Sequence, residues 1–154
     1  MMKLSEIIGP ECIIPQLKAT DKKGVLEELS EVIIQQDTSI SKQILVKVLM
    51  EREKLGSTGI GDGVAIPHGK LHGIRRPLLS FGRSLGGLDF ESMDGQPAHL
   101  FFLLVAPENS AGVHLKVLAK IARLLKNASF RKELMEAEGR DEIYETIVQG
   151  DQEP

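Results

Sequence analysis

The stretch Gly56-Ser57-Thr58-Gly59-Ile60-Gly61-Asp62-Gly63-Val64-Ala65-Ile66-Pro67-His68-Gly69-Lys70 constrains this chain more than any other. Five of its fifteen residues are glycine, a density that predicts a loop in which backbone N–H groups crowd together and positive φ is tolerated. Val64-Ala65-Ile66 has strand character, and Pro67 biases Ile66 toward an extended conformation. His68 is therefore expected just beyond a strand end, beside the permissive Gly69. Strand ends next to glycine-rich loops are where α/β proteins commonly place their chemistry.

Several readings of the loop fail on its own residues. A P-loop needs Lys-Ser/Thr after its last glycine, yet Asp62-Gly63 follows Gly61. A dinucleotide fingerprint fails because Val64 stands where the third glycine belongs, and there is no Gly-x-Ser-x-Gly elbow. His68 and His72 have the spacing of a zinc pair on a helix, but Pro67 and Gly69 oppose a helix there and the accompanying glutamate is missing. No metal site is expected, and a metal-dependent hydrolase built on His68 and His72 is the least favoured reading.

The wider composition narrows the class. With 154 residues, 42% of them hydrophobic and 27% charged, the chain suits one globular domain, expected over residues 1–150 with a disordered acidic tail at 151–154. The net charge of −3 and the lack of a basic block argue against nucleic acid. The apolar run from Leu100 to Ala106 is too short to insert in a membrane, and the amino terminus has no signal-peptide core, so a cytoplasmic protein is expected. The single Cys12, expected to be buried, excludes an internal disulfide.

Periodicity predicts a helical turn over Ser5–Ile8, a short strand at Cys12–Ile14, and amphipathic helices over 21–36 and 41–54. Asp21 is the expected cap of the first helix, and Ile44, Leu45, Val48 and Leu49 the inward face of the second. Leu78–Leu85 alternates as a half-buried strand ending at a Gly86-Gly87 turn, and a further turn is expected at Asp94-Gly95. Ala98–Ala106 reads as a central strand buried on both faces. Three helices follow, near 111–126, 129–136 and 141–149, the first capped by Asn109 or Ser110. The fold class is α/β: a three-layer α/β/α sandwich around a central mixed β-sheet.

His68 is the candidate nucleophile or acid/base, because a neutral imidazole offers a ring nitrogen to an electrophile. Phosphoryl transfer suits such a site, since it asks mainly for positioning and donors. Ser57 and Thr58 offer hydroxyl or amide donors, Gly69 allows close backbone approach, and Arg52 offers a bidentate charge. His114, in the first turn of its helix, is expected neutral because the helix dipole disfavours its protonated form. Each has a plainer alternative: a turn histidine, a solvated helix-end arginine, a histidine at a helix start. His72 reads as exposed in a connection and His99 as a strand-start residue.

The same residues carry a resemblance. Glu53, Ile60-Gly61, Val64-Ala65-Ile66 and Pro67-His68-Gly69 resemble the active-site stretch of enzyme IIA domains of the bacterial phosphoenolpyruvate-dependent phosphotransferase system, mannitol/fructose type. Arg52-Glu53-Lys54 and Gly56–Gly61 are most similar to the nitrogen-regulatory branch, and the likeness extends to His114-Leu115 and Asp141–Tyr144. The resemblance implies that His68 accepts a phosphoryl group from a histidine phosphocarrier protein, supported by His114 and Arg52, with no metal, nucleotide or other cofactor. It further implies regulatory targets such as potassium-transport or sensor-kinase proteins. The alternative is a fructose/mannitol-type enzyme IIA that serves a separate sugar-specific IIB. The chain shows no fused IIB or membrane IIC segment, which favours the regulatory expectation.

Overall fold

The computed structural model describes residues 3–152. Its centre is a strand, β6 (Ala98–Pro107), whose residues Phe101 to Ala106 are fully buried. Side chains alternate along it: Leu100, Phe102 and Leu104 enter one core, Phe101, Leu103 and Val105 the other. At about 1.5–3 kcal/mol for each fully buried Leu, Val or Phe, this strand alone ties two helical layers to one sheet. The expectation of a central strand buried on both faces holds.

Six strands form the mixed sheet, in the order β1 (Ile13–Ile14), β5 (Leu78–Leu88), β6, β3 (Val64–Ala65), β2 (Gly59–Gly61), with β4 (His68–Leu71) also paired to β6. β5 runs antiparallel to β6, while β3 and β4 run parallel to it along one side, the first against Leu100–Phe101 and the second against Leu104–Pro107. Helices α1 (Lys22–Gln36) and α2 (Lys42–Lys54) cover one face. Helices α3 (Ala111–Lys126), α4 (Ala128–Glu136) and α5 (Arg140–Gln152) cover the other, completing the three-layer α/β/α sandwich.

Caps and anchors set the helices. The Asp21 carboxylate accepts from Gly24 N–H, Ser41 from Ile44 N–H and Asn127 from Phe130 N–H. Arg83 on β5 is buried; its guanidinium donates to the carbonyls of Pro15, Leu134 and Ala137, holding the C-terminal turn of α4 to the sheet.

The glycine stretch is not an open loop. Gly59–Gly61 and Val64–Ala65 pair antiparallel as a tight hairpin, with Asp62 at φ 57° and Gly63 at φ 76° in the left-handed turn. Three strands were expected beyond α2; five are present, because β2 and β4 form from residues with little strand propensity of their own. β5 is buried on both faces over its first seven residues and continues through Gly86-Gly87 to Leu88, with an irregular register in place of the expected turn. The Asp94-Gly95 turn is present, with Gly95 at φ 72°. Ile44 and Leu85, both expected inside, are exposed. α5 continues past residue 150: the Asp151 carboxylate accepts from Leu4 N–H and pairs with Lys120, so helix replaces the expected disorder at 151 and 152. Residues 153 and 154 of that stretch lie outside the described residues. No described helix is long and apolar enough to cross a membrane.

Candidate functional site

β3 and β4 would be one strand but for a break at Ile66-Pro67, and the break places His68. The Ile66 carbonyl lies 2.7 Å from Nδ1 of His68, and a carbonyl can only accept, so Nδ1 carries the proton. That fixes the tautomer of the neutral ring and leaves Nε2 with the free lone pair. The ring is half-buried. Burial pushes its pKa below the ordinary imidazole value, against the Ile66 hydrogen bond, and the nearby Arg52 charge adds to the depression.

On one side stands α3. His114 sits in its first turn, 95% buried, with its ring 5.4 Å from that of His68 in an edge-on arrangement. Its Nδ1 is enclosed with no hydrogen-bond partner among the described residues, so Nε2 is the polar atom the ring has to offer. Burial, then the His68 ring and the Lys70 charge, lower the pKa of His114 and so favour its neutral form. The start of α3 departs from the expected cap: the Ser110 hydroxyl donates to the Pro107 carbonyl and does not serve the helix. The positive end of the α3 dipole is therefore left without a side-chain cap, and Ala111 of that turn faces the same cleft as His68.

On the other side stands α2. Arg52 donates from Nη1 to the Gly56 carbonyl at 2.9 Å, which ties it to the C-terminal end of its own helix with the other guanidinium nitrogens left over. Gly69 permits the close approach of this helix: a Cβ there would lie 2.8 Å from Val48 Cγ1. The three elements enclose a cleft of about 660 Å³ at the sheet edge, lined by His68, His114, Arg52 and Lys70 together with Val48, Leu118 and the exposed Leu55 and Leu115.

The structure thus brings His68, His114, Arg52 and Gly69 together, and leaves Ser57 and Thr58 out of the lining. Their hydroxyls are committed elsewhere: Ser57 donates to the Phe90 carbonyl, Thr58 to the Glu53 carboxylate. Glu53, read from the sequence only as part of a motif, is a buried hub. It accepts from the Thr58 N–H and hydroxyl and pairs with Lys22 at 2.9 Å, fixing the turn after α2. His72 is exposed and pairs with Glu108, and His99 starts β6 with Nδ1 donating to the Ser84 carbonyl. Lys70, Leu55 and Leu115 gave no sequence signal; a single charged or apolar residue on a periodic background has none to give.

The family described as "Phosphoenolpyruvate-dependent sugar phosphotransferase system, EIIA 2" matches residues 6–150. A nitrogen regulatory protein of Bradyrhizobium diazoefficiens is 43% identical over 147 residues, covering 96% of this chain and 95% of the relative. The fructose-specific EIIABC component of Bacillus subtilis is 38% identical over 150 residues, 97% of this chain but 24% of that larger protein. The crystal structure of the nitrogen regulatory protein IIA-Ntr from Neisseria meningitidis superposes with a TM-score of 0.87 at 35% identity, covering 94% of this chain and 98% of that one.

Proposed function

The chain belongs to the EIIA 2 family of the phosphoenolpyruvate-dependent sugar phosphotransferase system, and from that premise we propose that His68 accepts a phosphoryl group on Nε2 from a histidine phosphocarrier protein. The observation that carries the reading is the His68 ring held by Ile66 in one tautomer, with its other nitrogen free in a cleft shared with His114 and Arg52. The Nε2 lone pair forms the new P–N bond as the P–N bond to the carrier breaks, and that electron pair returns to the carrier's ring. The Nδ1 proton stays on His68, bonded to the Ile66 carbonyl, so no proton has to cross between the proteins. Arg52 and His114 Nε2–H donate to the phosphoryl oxygens as the charge moves, the positioning that this transfer requires.

The phosphorylation state then signals to other proteins, nitrogen- and potassium-linked transport or sensor-kinase proteins among them, in keeping with the nitrogen regulatory relatives. The same reading assigns the protein to the cytoplasm, where phosphoenolpyruvate is made. Incubation with phosphoenolpyruvate, enzyme I and the phosphocarrier tests the chemistry: wild type is expected to acquire an acid-labile phosphoryl group and His68→Ala none. Label on His68→Ala equal to wild type overturns it.

The likeness to the EIIABC component over nearly the whole chain favours one second reading, transfer to a separate fructose/mannitol-type IIB. Capture experiments with phosphorylated and unphosphorylated protein separate the two. Recovery of a cognate IIB alone supports sugar transport; recovery of a transporter or kinase in one state supports regulation.

A further inference from the structure

The two faces of β4 are unequal. Gly69 and Leu71 turn toward α1 and α2. His68 and Lys70, two residues apart, turn the other way, toward α3, and both line the cleft. No carboxylate pairs with Lys70 among the described residues, although the chain has more acidic than basic groups. A phosphoryl group on His68 presents three terminal oxygens. Arg52 lines the same cleft from α2 and His114 from α3; on the strand itself the cationic side chain is that of Lys70.

We propose that Lys70 is a phosphoryl-contacting residue of this site, its ammonium pairing with the oxygens of the group carried on His68 Nε2 beside the uncapped first turn of α3. The inference rests on the carrier reading and extends it by one residue. The Lys70 charge also reaches this pocket, since it adds to the lowering of the His114 pKa. Its long flexible stem also suits a site that is alternately empty and occupied, because the ammonium returns to water when the phosphoryl group leaves.

The competing role for an exposed lysine on an edge strand is to discourage pairing with another chain, or to meet the carrier during docking. The transfer equilibrium separates these from phosphoryl contact. Docking and edge protection change rates or association, whereas the equilibrium share of phosphoryl between carrier and this protein depends only on the states that hold it. Phosphorylated carrier, freed of enzyme I, is mixed with wild type, Lys70→Met, Lys70→Arg or His68→Ala, and the label on each protein is measured once it stops changing. Lys70→Met is expected to shift the equilibrium constant about fivefold to tenfold toward the carrier at low salt, and Lys70→Arg to stay within about twofold of wild type. Raising the salt to about 0.5 M should narrow the gap. Equal equilibrium constants for wild type and Lys70→Met at low salt overturn the inference, even if transfer slows. A wild type that takes no label overturns the carrier reading, and this inference with it.

Discussion

His68 and His99 sit on neighbouring strands of one sheet and are held alike: each is half-buried, and each donates Nδ1–H to a backbone carbonyl, Ile66 in one case and Ser84 in the other. Their surroundings differ. His68 opens on a cleft of about 660 Å³ that holds a second imidazole, a guanidinium and the uncapped end of α3. His99 borders a smaller cleft of about 260 Å³ near α4, where the Arg131 guanidinium is already bonded to the Leu125 carbonyl. Its ring also packs against Gly87, where a Cβ would come within 2.7 Å of it. A fixed tautomer is thus a common structural outcome for a strand histidine; what sets His68 apart is the second imidazole and the guanidinium that share the cleft of its free nitrogen.

Four measurements press on that contrast. The largest effect is expected from removing each ring in turn: His68→Ala should lose phosphoryl labelling altogether, while His99→Ala should label as wild type and lose stability only, by about 1–2 kcal/mol in chemical denaturation. Label lost on both would dissolve the distinction. Next come the groups that surround His68. His114→Ala and Arg52→Ala are each expected to slow transfer about 10- to 100-fold in rapid-quench labelling, with Arg52→Lys recovering only part of the rate because a point charge cannot replace the guanidinium fork.

The glycines beside the two rings give a smaller effect. Gly69→Ala would push Val48 and α2 outward, and Gly87→Ala adds a strained φ of +78° to a contact with His99. Both should cost about 1–3 kcal/mol of stability, but only Gly69→Ala should also slow transfer, through Arg52 on the displaced helix. The smallest effect is in pH. His68 and His114 both have depressed folded pKa values, so the unfolded chain binds more protons once the pH drops below the free-imidazole value of about 6.5. Stability should be full above that pH and fall as the medium is acidified toward the folded values, with His68→Asn/His114→Asn flattening the slope. The transfer rate should hold from neutral pH to below 6.5 and fall only at more acid pH, as the His68 nitrogen becomes protonated.

Much of this architecture is legible in the chain because it follows hydrophobic period. The helices, β6 and its two buried faces come directly from spacing; the place of His114 at a helix start does too, but its pKa is lowered by burial, the His68 ring and Lys70, which spacing does not show. What escapes is what tertiary pairing creates. β2 and β4 have little strand propensity, and exist because β3 is there to pair with the first and β6 with the second. Pairing within the hairpin likewise turns an apparent phosphate loop into a support, and draws Ser57 and Thr58 away from the cleft that their hydroxyls suggested. Ile44 fits an amphipathic count and Leu85 a strand alternation, yet both are exposed. Glu53 hides for the opposite reason, an acidic residue in a charged run that proves to be buried against Lys22.

The break between β3 and β4 has a consequence for how reversibly this site works. In serine-protease triads the histidine is oriented by a carboxylate, which also stabilises the ring's positive charge. Here the orienting group is the uncharged Ile66 carbonyl. It carries no net charge to repel an arriving dianion, and as an acceptor it steadies the positively charged ring without a carboxylate's full negative charge. On the carrier reading proposed above, a donor and an acceptor of similar transfer potential would exchange the group in both directions, and occupancy of His68 would follow the ratio of charged to uncharged carrier. A two-residue break in a β-ladder would then make the site a gauge and not a sink.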